Sequence, residues 1–180
     1  MSRIGKLGIP LPKEVKFEYN GGVVTVTGPK GTLTQAIASK NIAVAAADGE
    51  VKVTRLNDQK ESRAMHGLYR QLIANMVRGV VTPFSKTLII NGVGYKAAVA
   101  GAKLTMNIGF SHPVEYVAPA GITLACPDQN TVTVTGIDKE LVGQVAATIK
   151  SKRKVEPYHL YGLRYSDEAI TKKEGKTAGK

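Results

Sequence analysis

The stretch 131-TVTVTGIDKELVGQVAATIKSKR-153 changes periodicity partway along. Thr131–Thr135 alternates polar and apolar side chains, the pattern of a half-buried strand. After Asp138, Leu141, Val142, Val145, Ala146 and Ile149 recur at helical spacing. This predicts a helix over 139–153 with Asp138 as its N-cap. A strand that runs straight into a helix occurs once more, where Val51-Lys52-Val53-Thr54 leads into a helix predicted over 59–77. Asn57 or Asp58 is its expected N-cap, and Ala64, Met65, Leu68, Leu72, Ile73 and Met76 form its apolar stripe. The pentapeptide VTVTG also occurs at 24–28, but there it follows Asn20-Gly21-Gly22 and enters the glycine-rich loop Gly28-Pro29-Lys30-Gly31. The counterpart of 131–135 is therefore 51–55, and the identical pentapeptides reflect only strand composition.

Working outward from these two junctions, the order of elements repeats. Strands are expected at 15–19, 23–27, 32–38, 42–46 and 51–55 before the first helix. The first two pair as a hairpin across Asn20-Gly21-Gly22. Strands at 85–90, 94–100, 103–108, 114–117, 123–125 and 131–135 precede the second helix. Pro83 discourages helical continuation from the residue before it. The fold expected is α+β, with two tandem similar domains, each an antiparallel sheet packed against a helix. The first domain spans 1–82 and the second 83–171, followed by a basic flexible tail over 172–180.

The chain has 180 residues, 43% of them hydrophobic, enough for a core. Its formal charge of +11 favours a polyanionic partner: nucleic acid, anionic lipid or an acidic protein. The charge is concentrated at one end, where residues 150–180 carry nine Lys/Arg against four acids, a net +5. The single cysteine, Cys126, allows no intramolecular disulfide and suggests a reducing compartment. The opening MSRIGKLGIP lacks the apolar run of a signal peptide, and no stretch approaches a membrane span, so a cytoplasmic protein without a membrane partner is expected.

Enzyme signatures are scarce. Gly92-Val93-Gly94 begins a GxG, but Ala97 stands where a third glycine belongs and no βαβ unit surrounds it. Gly28-Pro29-Lys30-Gly31-Thr32 lacks phosphate-loop spacing and leads toward a strand, which makes it a lysine-bearing turn. His66, His112 and His159 are far apart and without companion cysteines, so no metal site is expected. Ser111-His112 are neighbours in sequence, and adjacent side chains rarely pair as nucleophile and base. Cys126 reads as a buried strand cysteine. No catalytic residue, metal or cofactor is expected. An enzyme binding a phosphorylated substrate through Lys30 or Lys96, and a basic adaptor for acidic proteins or lipids, are the rival readings.

The strongest functional signal is 150-KSKRKVEPYHLYGLRY-165. Lys150, Lys152, Arg153 and Lys154 occupy the last helical turn and its exit. Helix-end cations favour the dipole by ~0.3–1 kcal/mol each. That accounts for two lysines, but not for the continuation into Tyr158, His159, Tyr161, Arg164 and Tyr165. Cations neutralise phosphates, and Tyr and Arg planes stack on exposed bases. Composition does not separate RNA from DNA, but no helix-turn-helix, zinc-finger or basic-zipper pattern appears. Recognition is expected from loops, the helix end and the tail.

Three segments also carry a family resemblance: SRIGKLGIPLPKEV (2–15), INGVGYKAAVAGAKLTMNIGFSHPVEY (90–116) and TGIDKELVGQVAATIKSKRKVEPY (135–158). The sequence resembles the bacterial large-subunit ribosomal protein six family over residues 2–170. The resemblance implies duplicated α+β domains, no catalytic activity, and binding of large-subunit ribosomal RNA chiefly by the second domain. It also implies a place near the stalk base, beside other ribosomal proteins and the translation-factor landing region. The family pattern PEPYKGKGIRY stands here as VEPYHLYGLRY, so Val155, His159, Leu160 and Tyr161 depart from it. Tyr158, Arg164 and Tyr165 match. Gly92, Gly94 and Lys96 match the GVGYK segment, the glycines serving either a tight bend or close approach to RNA, and Lys96 a phosphate contact. Ser111-His112 serve either RNA contact or turn-shaping.

Overall fold

In the computed structural model, residues 3–47 and 49–176 are described. They form two compact units whose main boundary falls between Pro83 and Phe84. The last four residues of the expected tail, 177–180, lie outside the described residues.

The first unit runs β1 (Ile9–Pro10), β2 (Lys16–Asn20), β3 (Val23–Gly28), β4 (Gly31–Ala36), β5 (Ile42–Ala47), β6 (Glu50–Arg55) and α1 (Lys60–Gly79). The strands make two antiparallel sheets, of order β2-β3-β4 and β1-β6-β5. The expected hairpin pairs Asn20 with Val23, leaving Gly21-Gly22 as its turn. Alternation puts Val24 and Val26 of β3 and Val51 and Val53 of β6 into one core with Ile73 and Val77 of α1.

The second unit runs β7 (Phe84–Asn91), β8 (Lys96–Ala100), β9 (Lys103–Asn107), β10 (Val114–Val117), β11 (Ile122–Asp128), β12 (Thr131–Gly136), α2 (Lys139–Ser151) and β13 (Gly162–Tyr165). Its sheets have the order β10-β9-β8 and β11-β12-β7-β13. Each unit thus contains a three-strand meander and a sheet whose middle strand, β6 or β12, delivers the helix. That central position makes 51–55 the structural counterpart of 131–135. The first VTVTG sits in β3, in the middle of a meander. Val142, Val145, Ala146 and Ile149 of α2 cover Leu88, Val132 and Val134 of the sheet.

Three local readings need revision. The N-cap position of α1 is Gln59, without a side-chain cap. Asp58 is committed instead to Arg55, at 2.7 Å from Nε. The buried face of α1 is Ser62, His66, Tyr69, Ile73, Met76 and Val77, whereas Leu68 is 48% exposed. His66 is tolerated on that face because the sheet gives it partners: Nε2 donates to the Val53 carbonyl at 2.8 Å and Nδ1 accepts from Arg55 at 3.3 Å. Finally, 162–165 is a strand. β13 joins the edge of the sheet beside β7, with Leu163 fully buried.

Candidate nucleic-acid interface

The interface grows from two glycines and a ring. A Cβ built on Gly92 would lie 2.5 Å from the Tyr95 ring, and one on Gly109 would lie 2.5 Å from its hydroxyl. The ring therefore occupies a slot that only glycine leaves open, between the β7–β8 turn and the loop after β9. The tight-bend role of Gly92 is thereby met within the chain, and the Tyr95 N–H closes the turn on the Gly92 carbonyl at 3.2 Å. Gly94, at φ +74°, has open space where a Cβ would stand. Lys96 follows at the start of β8, exposed and without a side-chain partner among the described residues.

Tyr95 meets the exit loop of α2. Its ring lies 6.5 Å from that of Tyr161, inclined at 52°. Tyr161 in turn stacks on His159, 5.5 Å away at 23°. Phe110, next to Gly109, stacks on His112 at 6.2 Å and 22°, and the Arg153 guanidinium sits 5.2 Å from the Phe110 ring centre. The structure thus gathers Gly92, His112, Arg153, His159 and Tyr161, from segments some 20 to 70 residues apart in the chain, around Tyr95 and Phe110. Ser111 is exposed on the same loop as His112, and Tyr158 on the same loop as His159.

The exit loop is tied down along its length. Leu163 N–H donates to the Arg153 carbonyl at 2.9 Å and Glu156 N–H to the Tyr161 carbonyl at 3.0 Å. The Asn91 side-chain amide donates to the Leu160 carbonyl at 2.9 Å. Leu160 has φ 62°, the single non-glycine positive φ among the described residues. Leu160 thus holds a left-handed backbone with an L side chain. From the tail, Lys173 N–H donates to the Pro157 carbonyl at 2.9 Å.

The structure does not bring all the expected residues to this surface. Lys150 bonds both carboxylate oxygens of Glu168 at 2.6 Å, and its ammonium lies 4.6 Å from the Tyr165 ring centre. Lys86 approaches the same ring at 5.4 Å and pairs with Asp167 at 3.1 Å. Tyr165 is therefore clasped between two lysines, each neutralised by a carboxylate. Arg164 donates to the Glu168 backbone carbonyl at 3.3 Å. Lys150, Arg164 and Tyr165 have work inside the fold that their sequence positions did not reveal. Lys152 and Lys154, by contrast, are exposed and have no side-chain partner among the described residues.

Sequence reasoning passed over Phe110, Asn91 and the slot-filling role of Tyr95. A shared signal lay in the two loops, each of which sets glycine close to an aromatic residue: Gly92 to Tyr95, and Gly109-Phe110. No group of three metal-ligating side chains stands together among the described residues. No described helix is long and apolar enough to cross a membrane.

Fold and surface together define a tandem-duplicated α+β protein whose second unit carries a cluster of packed rings beside exposed cations. The family model described as ribosomal protein L6 matches residues 11–82 and again 91–166. The chain is 53% identical over 180 residues to the large ribosomal subunit protein uL6 of Chlorobium phaeobacteroides strain BS1, covering all of both chains. It is 51% identical to uL6 of Prosthecochloris aestuarii, over 100% of this chain and 99% of that one. It is 54% identical to uL6 of Clostridium kluyveri, again across the whole of both. The chain belongs to the ribosomal protein L6 family, and as a member it is a structural, non-enzymatic constituent of the large ribosomal subunit.

Proposed function

We propose that this protein holds folded large-subunit ribosomal RNA in the cytoplasmic ribosome with the end of α2, the exit loop and the two glycine-aromatic turns of its second unit. The observation that supports this reading most is the convergence of His112, Arg153, His159 and Tyr161 around Tyr95 and Phe110. Exposed Lys152, Lys154 and Lys96 displace counterions from the phosphate backbone. The packed rings give the surface a fixed shape to set against RNA. The family resemblance favours a position near the stalk base, with other ribosomal proteins alongside and translation factors landing nearby.

Four neutralised phosphates (Lys96, Lys152, Arg153 and Lys154) correspond to a log–log salt slope of about −3.6 if the RNA behaves as a duplex. Titrating the full-length protein against large-subunit RNA from 50 to 300 mM salt measures this slope. An affinity indifferent to salt defeats the proposal. Crosslinking in the assembled subunit tests the location: residues 152–154 should link to RNA, and links only to protein would oppose it.

A further inference from the structure

We propose that the His159–Tyr161 step is a stacking platform for an unpaired nucleobase, so that the exit loop takes a bulged or looped-out nucleotide instead of duplex backbone. The inference rests on the RNA-binding reading above and narrows it.

Charge is the first argument. Residues 155–163, between the cations of the α2 exit and Arg164, contain no lysine or arginine and one acid, Glu156. Glu156 Oε1 accepts from the His159 backbone N–H at 2.7 Å and stands 2.8 Å from His159 Nδ1. Any positive charge on the imidazole is thus already matched. A loop without net cationic character is poorly equipped to grip phosphate. Yet its aromatic residues Tyr158, His159 and Tyr161 are all exposed, the His159 side chain at 71%.

Geometry is the second. Tyr95 is wedged between Gly92 and Gly109, Tyr161 leans on Tyr95, and His159 lies nearly parallel on Tyr161. This is a staircase of rings fixed at its inner end and open at its outer one. The strained Leu160 backbone between the two outer rings is locked by Asn91, and the loop is closed by the Glu156–Tyr161 backbone hydrogen bond. A non-glycine residue stays left-handed where its surroundings over-determine it, and such sites cluster at ligand clamps. A preorganised ring face loses little freedom when a base is laid upon it. In an A-form duplex the base faces are consumed by their neighbours, so only an unpaired nucleotide offers one. Lys152, Lys154 and Arg153 stand immediately before the loop to take the flanking phosphates.

The test uses the full-length protein and two labelled RNA hairpins that differ only in one unpaired adenosine, at 150 mM salt. The bulged hairpin should bind at least about fivefold more tightly, since stacking on a ring is sequence-tolerant and strong. That preference should vanish in Tyr161→Leu and in His159→Leu and persist in Tyr161→Phe. If Tyr161→Leu has a lowered Tm, His159→Leu decides, because its ring is the outermost. Equal, salt-dependent binding of both hairpins by the wild type overturns the platform, leaves RNA binding standing, and points to a protein partner for the rings. Salt-independent or absent binding to both overturns the underlying reading as well.

Discussion

The Lys150 ammonium lies 2.6 Å from both carboxylate oxygens of Glu168 while facing the Tyr165 ring at 4.6 Å. Both partners are largely withdrawn from water, with side chains 24% and 32% exposed. Glu168 Oε2 also accepts from the Tyr165 N–H at 3.1 Å. One carboxylate thus fastens the end of α2 to the turn that follows β13. The helix-end lysine that looks most available in sequence is a structural clasp.

This clasp sets an acid dependence. Glu168 is held below the ordinary glutamate range, first by its hydrogen bond to Lys150 and then by the Tyr165 N–H. Asp167 is lowered likewise, first by its hydrogen bond to Lys86. A carboxyl lowered on folding contributes stability that is fully present above its unfolded pKa, about 4.3 for Glu, and is lost as pH falls through the lowered folded value. Tm should therefore decline as pH drops below the ordinary carboxylate range. Glu168→Gln should have a lower Tm at neutral pH and a shallower acid decline. Parallel melting profiles for the two proteins between pH 7 and 3 would sink this account.

Lys150 and its neighbours should separate in function. Lys150→Ala leaves a partly buried carboxylate unpaired and should destabilise the second unit by about 1 kcal/mol, between exposed and buried ion-pair values. Its effect on RNA affinity should be small. Lys152→Ala/Lys154→Ala should leave Tm nearly unchanged and make the salt slope shallower by roughly 1.8, because two phosphates are no longer neutralised. Melting curves and salt titrations of both variants decide it. The reverse pattern would mean that the clasp opens on RNA.

Gly162 and Gly143 should respond oppositely to alanine. A Cβ at Gly162, where φ is +137°, would stand 2.7 Å from the Lys154 carbonyl oxygen and the Val155 Cα, both backbone. Gly162→Ala should cost about 2 kcal/mol or more, because neither the strained φ nor the backbone can relax cheaply. Gly143, inside α2, meets nothing within 4 Å. Gly143→Ala should stabilise by up to about 1 kcal/mol. Denaturant unfolding of the two variants compares them directly.

Leu160→Gly should relieve the left-handed strain, worth ~1–2 kcal/mol, against a glycine entropy cost of ~0.5–1 kcal/mol. The net expectation is a gain of up to about 1 kcal/mol, while Leu160→Val, with a β-branched side chain at φ 62°, should lose stability. A destabilised glycine variant would show that the leucine side chain's packing outweighs its backbone strain.

The sequence alone determined the duplicated order of strands and helices. Alternation and helical spacing are local properties that survive whatever the chain packs against, so β6 into α1 and β12 into α2 were legible. Charge counting marked the basic end of the chain, and the resemblance carried the family. Only the tertiary structure turned α1 to its true face, because a buried His66 is acceptable once Val53 and Arg55 are there to bond it. Only the structure made 162–165 a strand, since four residues carry too little pattern and their pairing partner, β7, lies some 70 residues earlier. The same holds for the interface. The rings of Tyr95, Phe110, His159 and Tyr161 and the ion pairs of Lys86 and Lys150 are long-range relations, settled by backbone pairing and glycine-sized space. Charge counting along a sequence cannot see which cations the fold has already neutralised.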